Sequence, residues 1–538
     1  MTAAEGPQKA QMTQTPSRYD AIVIGGGVNG LTCAAYLGKR GVRTLLVEQR
    51  EQLGGCAAEG EIAPGFTVPT LAHSTGPLRN DVVEELQLYR HGLHFSEVPI
   101  TVSALSPDGR ALVLWQDARR TAESLRASSA KDAAAWPGFH DSLHRLGALI
   151  AGLLIATPPS VDSPSTRDVF ALMQTLSAFR KLPKADQWRL LRWGPMAVAD
   201  LVSEAVEDEL LRATIAADGV FGAMLGPWSA GSGLQLLLMH ANRAMAWPSG
   251  NVVAHGPIAV SRALERAAQG YGVAIKTGDG AHRINVKDDR AVGVTLASGE
   301  SVDARAVVSA VDPKRTFLRL CDAEHLPPEF LWRIKHYRSR GTLAKINLAL
   351  SALPDFAGAT RDMLAGRVRL APDLDYLERA FDHAKYGRFS PHPWIEFTVP
   401  SIANDALAPR GAHVLSAYAQ FAPYTLRDGD WDGSRDAFGQ CVIDTLEHHA
   451  PGITSRIVAR EVLTPLDFER GWGLSGGQIF HGELSLDQFF TMRPLLGYGQ
   501  YSTPLRGLYL CSNGTHPGTG LTGGSGINAA REIARSLS

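Results

Sequence analysis

The sequence predicts an α/β fold in which a nucleotide-binding domain, assembled from separate pieces of the chain, carries an inserted mixed α/β domain. Two observations predict it. A short apolar run, a glycine-rich turn and a helical pattern follow one another near residue 25, and the same order recurs near residue 515. The chain has 538 residues, 45% of them apolar, which is enough for two or three domains with their own cores.

The charge balance and the cysteine spacing exclude several function classes. Lys and Arg total 53 against 54 Asp and Glu, so no overall field favours nucleic acid, and no nucleic-acid partner is predicted. The five cysteines are far apart, without a paired motif, and no set of ligand residues has metal-site spacing. We therefore predict no disulfide framework, no metal and a reducing compartment.

The amino terminus and two apolar segments decide the expected location. Residues 1–18 are polar and resemble neither a secretory signal nor an organelle presequence, so we expect a disordered tail. The apolar run 146–157 is too short to span a bilayer, and glycines and a proline interrupt 219–239. We expect a soluble cytoplasmic protein, with peripheral membrane contact left open.

The first βαβ unit occupies about thirty residues. A β-rich run at 19–24 ends in the first glycine turn, a helical pattern follows, and a second β-rich run at 42–47 ends at Glu48. In such a unit the first glycine makes the tight turn, the second lets the backbone approach a pyrophosphate, and the third lets the helix pack closely. The predicted contacts are Val23, Ile24, Gly25, Gly26, Gly27, Val28, Asn29 and Gly30.

Glu48 lies where a carboxylate accepts hydrogen bonds from an adenosine ribose and repels a 2′-phosphate. This position disfavours NADP, and it makes Gln49 and Arg50 further candidate contacts. A second glycine pair, Gly54 and Gly55, follows at once.

The end of the chain favours FAD over NAD. A buried strand at 507–511 leads into a glycine-rich stretch to residue 526 and then into a helix at 527–537. A flavin uses such a second turn, because its ribityl chain and isoalloxazine extend beyond the first one. We therefore predict FAD as the cofactor.

Four blocks, at 19–66, 304–313, 472–494 and 507–533, together resemble the FAD-dependent phytoene desaturase-like and carotenoid/retinoid oxidoreductases. Within that family the chain is most similar to a group named for a pyridine nucleotide-disulfide oxidoreductase domain. The resemblance implies hydride transfer to flavin from an apolar, polyene or lipid-like small molecule. It also implies further cofactor contacts at Ala281, Gly514, Leu521 and Thr522.

The departures from the family pattern change three details. Asn513 and its neighbours stand where many flavoproteins carry a ribityl-binding Asp, so that contact must come from backbone or another side chain. Ala281 replaces the valine common at the adenine-facing position. No second cysteine follows Cys56 within the next nine residues, so dithiol chemistry is not predicted despite the group's name.

The predicted FAD-binding domain comprises residues 19–79, 252–314 and 467–538. The predicted substrate domain comprises 80–251, mostly helical with Asn80 as a helix cap, and 315–466, with a mixed sheet. The active pocket is expected where these pieces meet the isoalloxazine.

No catalytic residue is predicted, because hydride transfer to a flavin needs no protein nucleophile. His481, Glu483 and His516 are candidates for orienting substrate or flavin, although a structural hydrogen bond is the favoured role of each. Core packing is likewise favoured for the aromatic residues near glycine-rich segments, which are Trp228, Trp247, Trp472, Phe480, Phe489, Phe490 and Tyr498.

Two alternative functions stay open. One is a flavoprotein with a mainly regulatory or protein-binding role, which the resemblance to animal proteins associated with mitochondrial function implies; a protein partner, and the mitochondrial matrix for an animal-type homologue, belong to it. The other is a flavin amine oxidase, which would place a paired aromatic cage beside the flavin.

Overall fold

The computed structural model describes residues 19–74, 78–246 and 251–537. The predicted tail at 1–18 and the candidate Trp247 lie outside the described residues. Within these ranges no helix combines the length and the apolar character needed to cross a bilayer.

The described strands and helices alternate along the chain. The strands are β1 (Tyr19–Ile24), β2 (Thr44–Val47), β3 (Glu59–Ala63), β4 (Phe66–Pro69), β5 (Phe95–Glu97), β6 (Ile100–Leu105), β7 (Ala111–Trp115), β8 (Asn251–Val253), β9 (Ala274–Lys276), β10 (Ala281–Lys287), β11 (Arg290–Leu296), β12 (Ser301–Ser309), β13 (Leu343–Leu350), β14 (Val368–Leu370), β15 (Trp394–Thr398), β16 (His413–Gln420), β17 (Ile457–Leu463) and β18 (Leu508–Leu510). The helices are α1 (Val28–Lys39), α2 (Asn80–Glu85), α3 (Ala118–Leu125), α4 (Ala130–Ile155), α5 (Thr166–Lys181), α6 (Lys184–Trp193), α7 (Val198–Ala205), α8 (Glu209–Ala216), α9 (Ser232–Met245), α10 (Pro257–Gly270), α11 (Pro313–Arg315), α12 (Pro328–His336), α13 (Arg361–Ala365), α14 (Leu374–Lys385), α15 (Trp431–His449), α16 (Pro465–Trp472) and α17 (Gly524–Leu537).

The first sheet is the nucleotide-binding one. Its parallel part has the order β18-β12-β1-β2-β9, and β10 and β11 extend it in antiparallel fashion from β12. Ala21 of β1 lies between Ala306 and Thr44. Because helices cover parallel sheets, the central strands read as continuous apolar runs. On one face of the sheet, β1 shares a core with α1, α10 and α17.

The second sheet has the order β17-β13-β16-β15-β14-β6-β7 and is mostly antiparallel. All eight residues of β13 are buried, because the sheet lies between two apolar layers. One layer includes Trp431 and Phe438 of α15, and the other joins Trp394 to a bundle that contains α4, α7, α8 and α9.

The segment 80–251 is more mixed than its helical pattern predicts. It also contains β5, β6 and β7, and β6 and β7 extend the second sheet through a turn at Gly109, whose φ is +84°. The periodicity missed these strands because they are short and lie between longer helical runs. Asn80 begins α2, and Arg79 occupies the cap position. The predicted domain boundaries stay predictions.

Candidate functional site

The first glycine turn joins β1 to α1 at the carboxyl edge of the parallel sheet. A Cβ at Gly30 would lie 1.9 Å from the Gly25 carbonyl oxygen, so this close approach requires glycine. A Cβ at Gly27, the cap of α1, would meet nothing within 4 Å. Open space therefore lies in front of a helix amino terminus, where unpaired N–H groups and the helix dipole favour an anion.

Glu48 follows β2 and holds this turn in place. Its Oε2 accepts a hydrogen bond from the Gly26 amide at 2.6 Å, and its Oε1 accepts one from the Arg50 amide at 2.9 Å. The carboxylate is buried, yet each oxygen keeps acceptor capacity for a further donor such as a ribose hydroxyl. The same negative charge opposes an additional phosphate at this point.

Arg50 provides a test of whether the cavity fits a phosphate-bearing group. Its guanidinium lies 4.9 Å from the centre of the Trp472 ring. Its Nη1 is buried and has no hydrogen-bond partner among the described residues. Burying an unpaired charged donor is costly, so an anion in the cavity would satisfy it. The residues present therefore fit a dinucleotide pyrophosphate.

The second glycine turn, between β18 and α17, meets the first one directly. The Asn29 side chain donates from Nδ2 to Asn513 Oδ1 at 3.1 Å and accepts from the Gly526 amide at 3.2 Å, and these groups are buried. A Cβ at Gly526 would lie 2.2 Å from the Asn29 carbonyl oxygen. The two ends of the chain, 484 positions apart at the Asn29–Asn513 contact, therefore build one site.

A single cavity, which we call the dinucleotide groove, runs along both turns. Most of the predicted cofactor contacts line it: Ile24, Gly25, Gly27, Val28, Asn29, Gly30, Glu48, Gln49, Arg50, Gly54, Gly55, Ala281 and Leu521.

Four predicted contacts lie beside the groove. Val23 is in the core, and the Gly26 amide donates to Glu48. A Cβ at Gly514 would contact Pro313, and the Thr522 carbonyl accepts from the Arg79 amide. All of these contacts with a cofactor stay predictions.

The groove also contains residues that the sequence did not indicate as contacts. Asp312 is buried at the end of β12, where it accepts from the Arg315 amide at 2.9 Å and the Ser475 amide at 3.1 Å. Burial raises its pKa. Asn513, at the position of the missing Asp, and Trp472 line the groove as well. Two of the resembling blocks end near Asp312 and begin at Trp472, which is the signal that was available.

The three polar candidates differ in their surroundings. His481 lines the groove, and burial lowers its pKa to about 3, so its ring is neutral. Glu483 is ion-paired with Arg338 at 3.1 Å and Arg340 at 2.7 Å. His516 Nε2 lies 3.0 Å from the Leu153 carbonyl oxygen. Only His481 of the three therefore faces the groove.

Among the described aromatic candidates, Trp472 lines the groove and Phe480 is buried. Phe489 and Phe490 contact each other, Tyr498 packs against Phe330, and Trp228 is 47% exposed.

A buried ionisable set lies behind Cys56, which lines the groove. Burial raises the pKa of Cys56 to about 11, so it is a thiol and not a thiolate. Its carbonyl accepts from the Ala72 amide, and next in sequence His73 has its Nδ1 3.1 Å from Lys345 Nζ and its Nε2 3.6 Å from Glu396. Burial lowers the pKa of Lys345 well below its usual range. Sequence reasoning missed this set because its members come from distant strands.

One group in the described part of the chain brings three potential metal ligands together, although no metal was predicted. Asp322, Glu324 and His325 are close in sequence, and Asp322 is ion-paired with Arg283. Acidic groups of this kind are common on protein surfaces without an ion, and this one is not part of the groove lining.

Comparison with known proteins agrees with this geometry. Residues 23–86 match the model of the NAD(P)-binding Rossmann-like domain. The chain is 36% identical to the pyridine nucleotide-disulfide oxidoreductase domain-containing protein 2 of Rattus norvegicus, over 96% of this chain and 94% of the relative. It is 24% identical to phytoene desaturase (neurosporene-forming) of Cereibacter sphaeroides, over 94% and 92%. The predicted resemblance is therefore confirmed.

A solved structure of a putrescine oxidase variant is similar in fold, with a TM-score of 0.60 and 14% identity over 97% of this chain and 98% of that one. The predicted α/β fold, with a Rossmann-like sheet and a second mixed sheet, is confirmed.

Proposed function

Because the chain belongs to the family of the pyridine nucleotide-disulfide oxidoreductase domain-containing protein 2, which is a family of FAD- or NAD(P)-dependent oxidoreductases, we propose that it is an FAD-dependent oxidoreductase. In this proposal the substrate is an apolar, polyene or lipid-like small molecule that is oxidised at a C–H bond. The observation that carries the proposal is the meeting of two glycine turns around one groove through Asn29.

The assignment of FAD follows from what each end of the groove offers. Glu48 would accept from the adenosine ribose, and the amino terminus of α1 together with Arg50 would face the pyrophosphate. Asn513, beside the second turn, would stand near the ribityl chain. Bound FAD would supply the acceptor for a hydride. A nicotinamide dinucleotide is shorter beyond its pyrophosphate and would leave the second turn without a ligand.

The side chains around this groove suit hydride transfer without acid catalysis. His481 and Cys56 are uncharged there, because burial lowers the pKa of the first and raises that of the second. Lys345 beside His73 is a buried amine that burial disfavours in its charged form. Such an environment excludes water and accepts an apolar substrate. The absence of a thiolate at Cys56 argues against dithiol chemistry.

We further propose that an anionic lipid surface contacts α5. No residue of this sixteen-residue helix is buried, and Phe170 and Met173 are 62% and 65% exposed. Val169, Leu172 and Leu176 are exposed on the same helix, and Trp188 of the following α6 is 71% exposed. Arg180 and Lys181 end α5. An exposed apolar stripe flanked by basic residues and a tryptophan suits an anionic interface.

Vesicle sedimentation tests the lipid contact. Phe170→Asp/Met173→Asp should abolish cosedimentation with phosphatidylserine-containing vesicles. The matched control Tyr386→Asp/Val458→Asp changes two exposed apolar residues elsewhere and should leave it unchanged. Equal sedimentation of both variants would refute the contact.

Flavin reduction tests the enzymatic proposal. The purified protein should show a flavin absorbance spectrum, and anaerobic addition of a carotenoid, retinoid or fatty-acyl compound should bleach it. Bleaching by amines alone would instead identify an amine oxidase. A bound flavin that no small molecule or nicotinamide reduces would favour the regulatory, protein-binding alternative. A colourless protein that does not bind added FAD would overturn the cofactor assignment.

A further inference from the structure

A second cavity lies beside the dinucleotide groove, and its wall carries an excess of positive charge. Its volume is about 680 Å³. It lies between the ends of α11, α12 and α14 and the loops that precede β13 and follow β16. Seven Lys and Arg residues line it, against a single carboxylate, Glu469. The chain as a whole has a formal net charge of -1, so this excess is local.

Five of these seven cations have no acidic partner. Within the described residues, no carboxylate lies within 4.0 Å of the charged groups of Lys314, Arg315, Arg319, Lys335 and Lys385. The other two, Arg338 and Arg340, are paired with Glu483 behind the wall. The cavity is therefore lined by unneutralised positive charge.

The single acid does not compensate this charge, because its acceptors are already engaged. Glu469 Oε2 accepts from the Gly476 amide at 3.3 Å and from the Tyr424 hydroxyl. Lys314 is only partly exposed, and burial lowers its pKa. An anion next to Lys314 would stabilise its charged form.

We propose that this cavity binds a soluble small molecule that carries a polyphosphate, of the nucleotide diphosphate class. A monocarboxylate would leave most of the five cations repelling one another, whereas a polyphosphate brings several negative charges and many acceptors. The volume is typical of small-molecule sites, which measure about 300–1,000 Å³. Leu318, Met224 and Tyr424 give the same wall an apolar part that suits the organic portion of such a ligand.

The site is separate from the dinucleotide groove but adjoins it. Arg315 lines both cavities, and its Nη2 donates to Gln49 Oε1 at 3.0 Å. A ligand in the cationic cavity would therefore lie next to the residue that follows Glu48. The proposal does not depend on which dinucleotide occupies the groove, since Arg319, Lys335 and Lys385 belong to the second cavity alone.

Calorimetric titration of the full-length purified protein with inorganic tripolyphosphate and with ADP tests the proposal. The test variant is Arg319→Gln/Lys335→Gln, in which both residues are exposed. The control variant Arg126→Gln/Arg410→Gln removes the same charge from exposed positions outside both cavities. Because hydrogen bonds to charged groups are worth about 1.5–3 kcal/mol, the test variant should bind tripolyphosphate at least about tenfold more weakly. The control should match the wild type.

Further arms separate this site from other sources of phosphate binding. Arg50→Gln changes the groove and should leave tripolyphosphate affinity intact; a loss in that variant would mean that the probe binds in the groove, and would overturn the proposal. Tighter binding of ADP than of tripolyphosphate would support a nucleotide as the ligand. Binding only to phosphatidylserine vesicles, no saturable binding, or equal weakening in the test and control variants would each overturn it.

Discussion

Asn29 is the residue whose replacement most directly tests the joining of the two chain ends. Its amide donates to Asn513 and accepts from the Gly526 amide at the start of α17, and both contacts are buried. Asn29→Ala removes both and leaves a buried carbonyl oxygen and a buried N–H unpaired. At about 1–3 kcal/mol for each unsatisfied group, the free energy of unfolding should fall by about 2–4 kcal/mol. Urea unfolding followed by tryptophan fluorescence measures this loss.

Hydrogen exchange locates the effect. The amides of α17 should exchange faster in Asn29→Ala, because the helix loses a fixed point at its first turn. Asn347 provides a matched control, since it is buried in the second sheet with two side-chain hydrogen bonds, to Glu461 at 2.8 Å and from Ser416 at 2.6 Å. Asn347→Ala should cost a similar free energy of unfolding without faster exchange in α17. If exchange in α17 is the same in both variants, Asn29 does not join the two ends.

Three further predictions test other parts of the structure. Glu48→Arg should abolish copurification of FAD, because it removes the acceptor of two backbone amides and adds a buried cation, whereas Glu48→Gln should retain part of it; full yellow colour in the Arg variant would contradict the ribose contact. Arg493→Met should lower the free energy of unfolding by about 3 kcal/mol or more, because the buried Arg493 guanidinium donates to the carbonyls of Asn513, Phe480 and Glu483; a urea midpoint equal to that of the wild type would contradict this role. Burial lowers the pKa of His73 to about 4 and of His516 to about 3, so below about pH 6.5 the unfolded chain binds protons that the folded chain does not, and stability should fall by about 1.4 kcal/mol per pH unit for each histidine. Urea unfolding between pH 7 and pH 4.5 measures the slope, which His516→Gln should reduce and which would be absent if both rings were charged in the folded state.

The βαβ unit could be predicted from sequence because its signals are local. Gly25, Gly27 and Gly30 are each required by a contact within the same thirty residues or by the open space in front of α1. The second turn was recognised by the same means. Their contact could be predicted only as a hypothesis, because no local pattern states that Asn29 and Asn513 meet.

The parts that sequence reasoning missed depend on long-range packing. The groove wall at Asp312 and Trp472 comes from segments about 160 residues apart that carry no motif of their own. The set of His73, Lys345 and Glu396 reads in sequence as one loop residue and two strand residues, and its burial follows from the second sheet. The cationic cavity is likewise invisible, since its lysines and arginines are scattered among acidic neighbours along the chain.

The assembly of one groove from both chain ends implies that cofactor binding and folding are coupled. A ligand that binds only the folded state stabilises it by about 2.7 kcal/mol when its concentration is a hundred times its dissociation constant. A dinucleotide that contacts both glycine turns would add this stability at the joint that Asn29 holds. The loss caused by Asn29→Ala should therefore shrink in excess FAD, whereas the loss caused by Asn347→Ala should stay constant, because Asn347 lies in the other sheet. Equal rescue of both variants would mean that FAD stabilises the whole chain uniformly and that the two turns do not grip it separately.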